Sequence, residues 1–351
     1  MKAGITYLKE HILRFAIPVL FLLCIWFIMA SPTRSEWYAN HIYPVVARLL
    51  SSLSGWVPFS LGDCFIYGSI AGLILYIIIR IIRRASLIKT FQHVLLYLCW
   101  VYIWFYLAWG LNYFRPGFFN RTRIPYIAYT PESFDQFLTT YTETLNNSYV
   151  VFDSIDKKVV AEEVQKGYDR IHTRFGMTAP SSRQEAKYML FSEGMSKVGV
   201  LGYVGPFFNE FNLNKELLPV QYPSTYAHEM AHVLGIANEA EANLYGYLVC
   251  IQSGIPEIRF AGYFSIFHYV LGNAYSLLEK EDFIAWRDRI RPEIKELYNL
   301  KMDYWSEKYS PVIGEIQDKV YHLFLQSNNI PSGRKNYSEV VSLLIACQEY
   351  L

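Results

Sequence analysis

The chain has 351 residues, 52% hydrophobic and 17% aromatic, richer in apolar side chains than an ordinary soluble protein. Its net charge is +1, and no basic cluster interleaves with aromatics in the C-terminal region, which argues against nucleic acid as a partner. Cys24, Cys64, Cys99, Cys250 and Cys347 are widely scattered, so neither a disulfide scaffold nor a thiolate metal site is implied, and no spacing rule supports a Cys250 to Cys347 bridge.

The apolar excess is concentrated in the first third, in runs at residues 12–30, 64–82 and 94–111. Each approaches the ~20 residues that a helix needs to cross a hydrocarbon core about 30 Å thick. The expectation is three transmembrane helices in a membrane domain over residues 1–117, with the lipid bilayer as a partner. Ala30 and Ser31 would also suit cleavage of the first run as a signal peptide, but two further spans would still anchor the product. Lys2, Lys9 and Arg14 precede the first run, and Arg80, Arg83, Arg84 and Lys89 fill the link between the second and third. Only Arg34 and Arg48 lie in the longer first loop, so the N-terminus and that link are expected in the cytoplasm and everything after Leu111 outside. Val45, Val46, Leu49, Leu50 and Leu53 recur at helical spacing in residues 42–61, read as an interfacial helix. Arg48, Pro58 and the glycine-serine breaks count against a re-entrant or fourth span there. Trp37, Tyr38, Trp109 and Tyr113 fit an interfacial aromatic belt, with core packing as the equal alternative.

Residues 118–351 turn globular in composition, enough for one substantial core. Pro131, Glu132 and Ser133 open a helix with a serine or threonine cap, and residues 157–175 carry another helical pattern. Gly199, Gly202, Gly205 and Pro206 punctuate Val, Tyr and Phe across residues 198–218, which suggests short strands or a hairpin. After Ser224 the pattern is helical almost to the end, broken at Pro256, Pro292, Pro311 and the Ser332-Gly333 turn. The fold class is therefore mainly α, three membrane helices followed by an α-rich domain with a small β element. Residues 202–214 are the candidate edge strand for an extended substrate, a plain connecting hairpin being the alternative.

His228-Glu229-Met230-Ala231-His232 follows that β element. Two histidines four apart share one helical face and can grip one metal ion, while Glu229 sits beside it to act on a water. Pro223, Ser224 and Thr225 provide the helix start. A catalytic zinc has three protein ligands and one open position. Gly235 can adopt a left-handed conformation and end the helix, turning the chain back toward the metal. Asn238 then caps a second helix, with Glu241 completing a capping box and Glu239 left free as the third ligand. Glu241 is the alternative ligand, Asn243 a group that could hydrogen-bond a ligand, and Asn238 a poor donor for zinc. The competing readings are solvated helix histidines and, for Glu239, a carboxylate favoured by the helix dipole. No oxyanion donor stands out among Tyr245, Tyr247, His268 and Tyr269 in a chain with 29 tyrosines.

His228 to His232 followed by Glu239-Ala240-Glu241-Ala242-Asn243 resembles the gluzincin metallopeptidases, in which a downstream glutamate completes the zinc site. HtpX-like membrane peptidases share that second motif; this chain departs from them in its short gap between His232 and Glu239. The whole chain also resembles a family of bacterial inner-membrane proteins with a domain of unknown function. That likeness rests on the N-terminal spans, Trp109-Gly110-Leu111-Asn112-Tyr113 with Arg115, Gly202-Tyr203 with Pro206-Phe207 and Glu210, and the two motifs. It implies a zincin-like domain over residues 118–351 and a bacterial inner-membrane, multi-pass location with that domain periplasmic. The expected function is hydrolysis of a peptide or protein substrate by zinc-activated water, with Glu229 as general base. The alternative is a catalytically silent envelope scaffold or sensor, which would have no need of Glu229.

Overall fold

The computed structural model describes residues 2–128, 130–181, 184–333 and 339–348, with side chains from Arg14 onward. It is mainly helical, 70% helix and 3% strand, with one small three-stranded sheet. The chain forms two compact units, Met1–Pro116 with Gly205–Glu210, and Gly117–Val204 with Phe211–Leu351. All five cysteines are free.

The first unit contains α1 (Lys2–Met29), α2 (Pro32–His41), α3 (Tyr43–Ser54), α4 (Leu61–Ile82) and α5 (Leu87–Ala108), then a 3-10 turn at Gly110–Phe114. Among the described residues two helices, α4 and α5, are long and apolar enough to cross a membrane, not three. The expected first span at residues 12–30 lies almost wholly within α1, which ends at Met29 just before Ser31 is extended and Pro32 can donate no helical hydrogen bond. Its part from Arg14 to Met29 and the following α2 form a pair bent by 109°, which counts as a third span only if the bent pair is taken as one.

Both spanning candidates begin earlier than their apolar runs. Ser60 caps α4, its Oγ accepting from the Asp63 amide at 3.0 Å. The polar start of α5 is stabilised by partners on α4: Arg80 Nε donates to Thr90 Oγ1 at 2.9 Å, and Tyr76 Oη lies 2.6 Å from His93 Nδ1. Such pairing removes the cost of polar groups on otherwise apolar helices. The helix α3 is shorter than the expected 42–61, stopping before Gly55, and leaves Val45, Leu49 and Leu53 exposed on one face. Asn209, with a φ of 47°, is buried in this unit, where Tyr43 Oη donates to its Oδ1 at 2.9 Å and its Nδ2 donates to Ser51 Oγ at 3.0 Å.

The second unit contains α6 (Phe118–Thr122), α7 (Pro131–Ser148), α8 (Lys157–Ile171), β1 (Lys187–Tyr188), α9 (Ser192–Ser196), β2 (Gly202–Gly205) and β3 (Glu210–Leu213). It continues with α10 (Tyr222–Val233), α11 (Glu239–Ile251), α12 (Pro256–Ser265), α13 (Phe267–Leu277), α14 (Lys280–Asp288), α15 (Pro292–Lys308), α16 (Pro311–Ser327) and α17 (Val340–Cys347). Thr130 caps α7 in a reciprocal box with Ser133, as its sequence suggests. Pro256, Pro292 and Pro311 each occupy the first turn of a helix, where a missing N–H costs nothing.

The sheet order is β1-β3-β2, with β1 parallel to β3 and β2 on an edge. The core packs α10, α11 and α12 around Tyr168, Phe175, Tyr245, Phe260 and Phe264. Gly246 sets the spacing of the two motif helices, since a Cβ there would lie 3.2 Å from the His228 amide and 3.3 Å from the Ser224 carbonyl.

Candidate metal centre

The helix α10 is held from below by Tyr168, whose hydroxyl donates to the Ala227 carbonyl at 2.6 Å. One turn apart on its other face, the rings of His228 and His232 meet nearly edge to face, with centroids 4.8 Å apart. Gly235 at φ 93° ends the helix, and the Ile236 amide closes the turn on the Ala231 carbonyl at 3.1 Å. The returning chain then orients His232: its Nδ1 lies 2.7 Å from the Ile236 carbonyl oxygen, which accepts the Nδ1 proton and turns Nε2 toward Glu239.

Asn238 caps α11 through its Oδ1, which accepts from the Glu241 amide at 2.9 Å. This sets Glu239 in the first turn with Oε2 3.1 Å from His228 Nε2 and 3.2 Å from His232 Nε2. The two imidazole nitrogens are themselves 3.2 Å apart. Tetrahedral ligands about 2.0–2.1 Å from zinc stand about 3.3–3.4 Å from one another, a few tenths of an ångström more than these separations. Tyr321 on α16 donates to Glu239 Oε1 at 2.7 Å, leaving Oε2 to the histidines.

Electrostatics tie the three together. Burial alone would raise the Glu239 carboxyl, but His232 and His228 outweigh it and hold the group well below the usual range. Burial opposes a charged His232, and the Glu239 carboxylate reverses that, lifting it to about 9. His228 keeps 15% of its side chain exposed, against 7% for His232, so the triangle opens to solvent on the His228 side.

Glu229 is buried, its Oε2 has no hydrogen-bond partner among the described residues, and burial raises its pKa. Gly202, at the start of edge strand β2, lies directly against it: a Cβ there would fall 2.4 Å from Glu229 Oε1. The candidate substrate strand and the candidate base are therefore in contact, and any larger side chain at residue 202 would have to displace Glu229.

The other expected site residues lie elsewhere. The Glu241 carboxylate is an ion-pair partner of buried Arg121 and accepts from Tyr245 Oη at 3.4 Å, so it neither completes the capping box nor reaches the histidines. Arg121 prevails over the glutamate's return to the cap because a buried guanidinium requires a counter-charge. The Asn243 Nδ2 is buried without a partner among the described residues, and no hydrogen bond joins it to the three clustered residues. His268 Nδ1 is 2.6 Å from Tyr298 Oη. Tyr321 has no signal in the sequence, being one tyrosine of 29 on a helix remote in the chain.

Among the described residues, His228, His232 and Glu239 form the group that could hold a metal ion. The chain belongs to the family described as Protein of unknown function (DUF3810), whose model matches residues 38–345. No curated protein and no solved structure matches it.

Proposed function

We propose that the protein is a zinc-dependent peptidase carried on a membrane anchor, with His228, His232 and Glu239 as ligands and Glu229 as general base. The observation that carries this reading is the convergence of two imidazole nitrogens and one carboxylate oxygen on a single point, beside a buried carboxyl that lies against an edge strand. The unpartnered Glu229 oxygen supports it too, since a buried polar atom without a hydrogen bond is costly unless a water or substrate meets it.

Zinc bound there supplies Lewis acidity toward a water and a substrate carbonyl. Glu229 takes the proton of the attacking water and delivers it to the leaving nitrogen, and burial raises its pKa in the direction that favours accepting that proton. The Ile236 carbonyl and the Tyr321 hydroxyl hold His232 and Glu239 in their liganding orientations. An extended peptide adds along edge strand β2, where Gly202 brings its backbone close to Glu229.

The accompanying topology has the N-terminus and the link at residues 83–89 in the cytoplasm of a bacterial cell and the second unit outside the inner membrane. It is supported by Arg80, Arg83, Arg84 and Lys89 between two helices apolar enough to span. Metal analysis of the purified full chain tests the site: about one zinc per chain is expected, lost on His228→Ala or His232→Ala. Folded wild-type protein that takes up no zinc would end the proposal.

A further inference from the structure

Away from the metal cluster, α13, α14 and α15 enclose a groove of about 610 Å³, within the usual range for a small-molecule site. It follows α13 from Phe267 through Leu271 to Tyr275, successive turns of one face that extend about 12 Å. Phe283 and Tyr298 also line it. Arg287 and Lys295 line it as well, Arg287 over the Phe283 ring and Lys295 Nζ donating to the Arg287 carbonyl at 3.4 Å; no carboxylate lines it, and neither cation is in an ion pair among the described residues. Beside Tyr298 lies a third cation, Lys301, with its ammonium 5.3 Å from the Phe264 ring centre and 5.8 Å from that of Tyr298. An apolar trough with unneutralised positive charge in its lining is complementary to a molecule with a hydrocarbon body and an anionic head.

We infer that this groove binds a medium-chain fatty carboxylate, with the acyl chain along α13 beside Phe283 and Tyr298 and the carboxylate on Arg287 and Lys295. An elongated trough suits a chain better than a compact ring system. Gly272 lines the groove, is exposed, and a Cβ at that position would meet nothing within 4 Å. The inference is independent of the metal site.

That open space provides a clean test, because a larger side chain at Gly272 can fill the groove without a clash and improves helix propensity. Laurate binding is measured by calorimetry on the full chain in phosphatidylcholine nanodiscs, with empty nanodiscs as the baseline. Saturable binding is expected for the wild type, weakened at least about tenfold by Gly272→Leu with no loss of thermal stability. Replacing Arg287 and Lys295 together by glutamine is expected to weaken laurate to the level of dodecanol, and acetate is expected not to bind. No saturable binding above the baseline, unchanged affinity in Gly272→Leu, or dodecanol binding the wild type as tightly as laurate would each overturn the assignment.

Discussion

Tyr321 and Glu239 are joined by a 2.7 Å hydrogen bond that occupies one carboxylate oxygen and leaves the other facing His228 and His232. The bond fixes the rotamer of Glu239, the proposed third ligand, from a different helix. Tyr321→Phe removes only the hydroxyl, so the protein should remain folded while zinc affinity falls by about 10- to 100-fold, the usual cost of losing a partner behind a metal ligand. Competition with a zinc-binding dye measures this; unchanged affinity would show that the carboxylate needs no such support.

Glu239 and Glu241 stand two residues apart on α11 and should fail in opposite ways. Glu239→Gln is predicted to abolish tight zinc binding with little loss of fold. Glu241→Gln leaves Arg121 buried without its counter-charge, the two side chains being 4% and 5% exposed in the native pair. Breaking such a pair costs about 3–5 kcal/mol, so this variant should melt earlier yet keep its zinc. The reverse pattern in metal content and melting temperature would reassign the third ligand.

Much of this site was legible in the sequence, and the reasons differ by residue. The four-residue spacing of His228 and His232, the left-handed turn at Gly235 and the cap at Asn238 are local, so the backbone rules that predict them also form them. Long-range partners were not legible. Tyr321 reaches Glu239 from a remote helix, and Arg121 reaches Glu241 from α6, diverting a carboxylate that local logic assigned to a capping box. The same limit applies to the membrane helices. Hydropathy marks the apolar runs but not the 109° bend between the first helix and α2, nor the hydrogen bonds from α4 that let α5 begin at Leu87.

The pH dependence of metal binding follows from His232. Without metal, the Glu239 carboxylate outweighs burial and raises it to about 9 from 6.5, so at neutral pH its proton must leave before zinc can bind. Apparent zinc affinity should therefore rise by roughly tenfold per pH unit through neutrality and flatten above about 9. A raised folded-state pKa stabilises the protonated form, so this contribution to metal-free stability is complete below 6.5 and is lost as pH climbs through about 9. Melting of chelator-treated protein and calorimetry in buffers of different ionisation enthalpy read the two effects. A pH-independent affinity over that window would mean that His232 does not exchange a proton for metal.

The central claim is that Glu229 serves chemistry rather than metal retention, and the direct measurement is peptide turnover by Glu229→Gln beside its zinc content. The substitution keeps the shape that packs against Gly202 and removes the basicity. Envelope peptides are compared between cells carrying wild-type protein and cells carrying the variant, and the peptides that differ supply a substrate for the purified chains. The account predicts wild-type zinc occupancy in the variant and hydrolysis reduced by a factor on the order of 10² to 10⁴. Peptide profiles that do not differ, with wild-type protein folded, zinc-loaded and abundant, would contradict it.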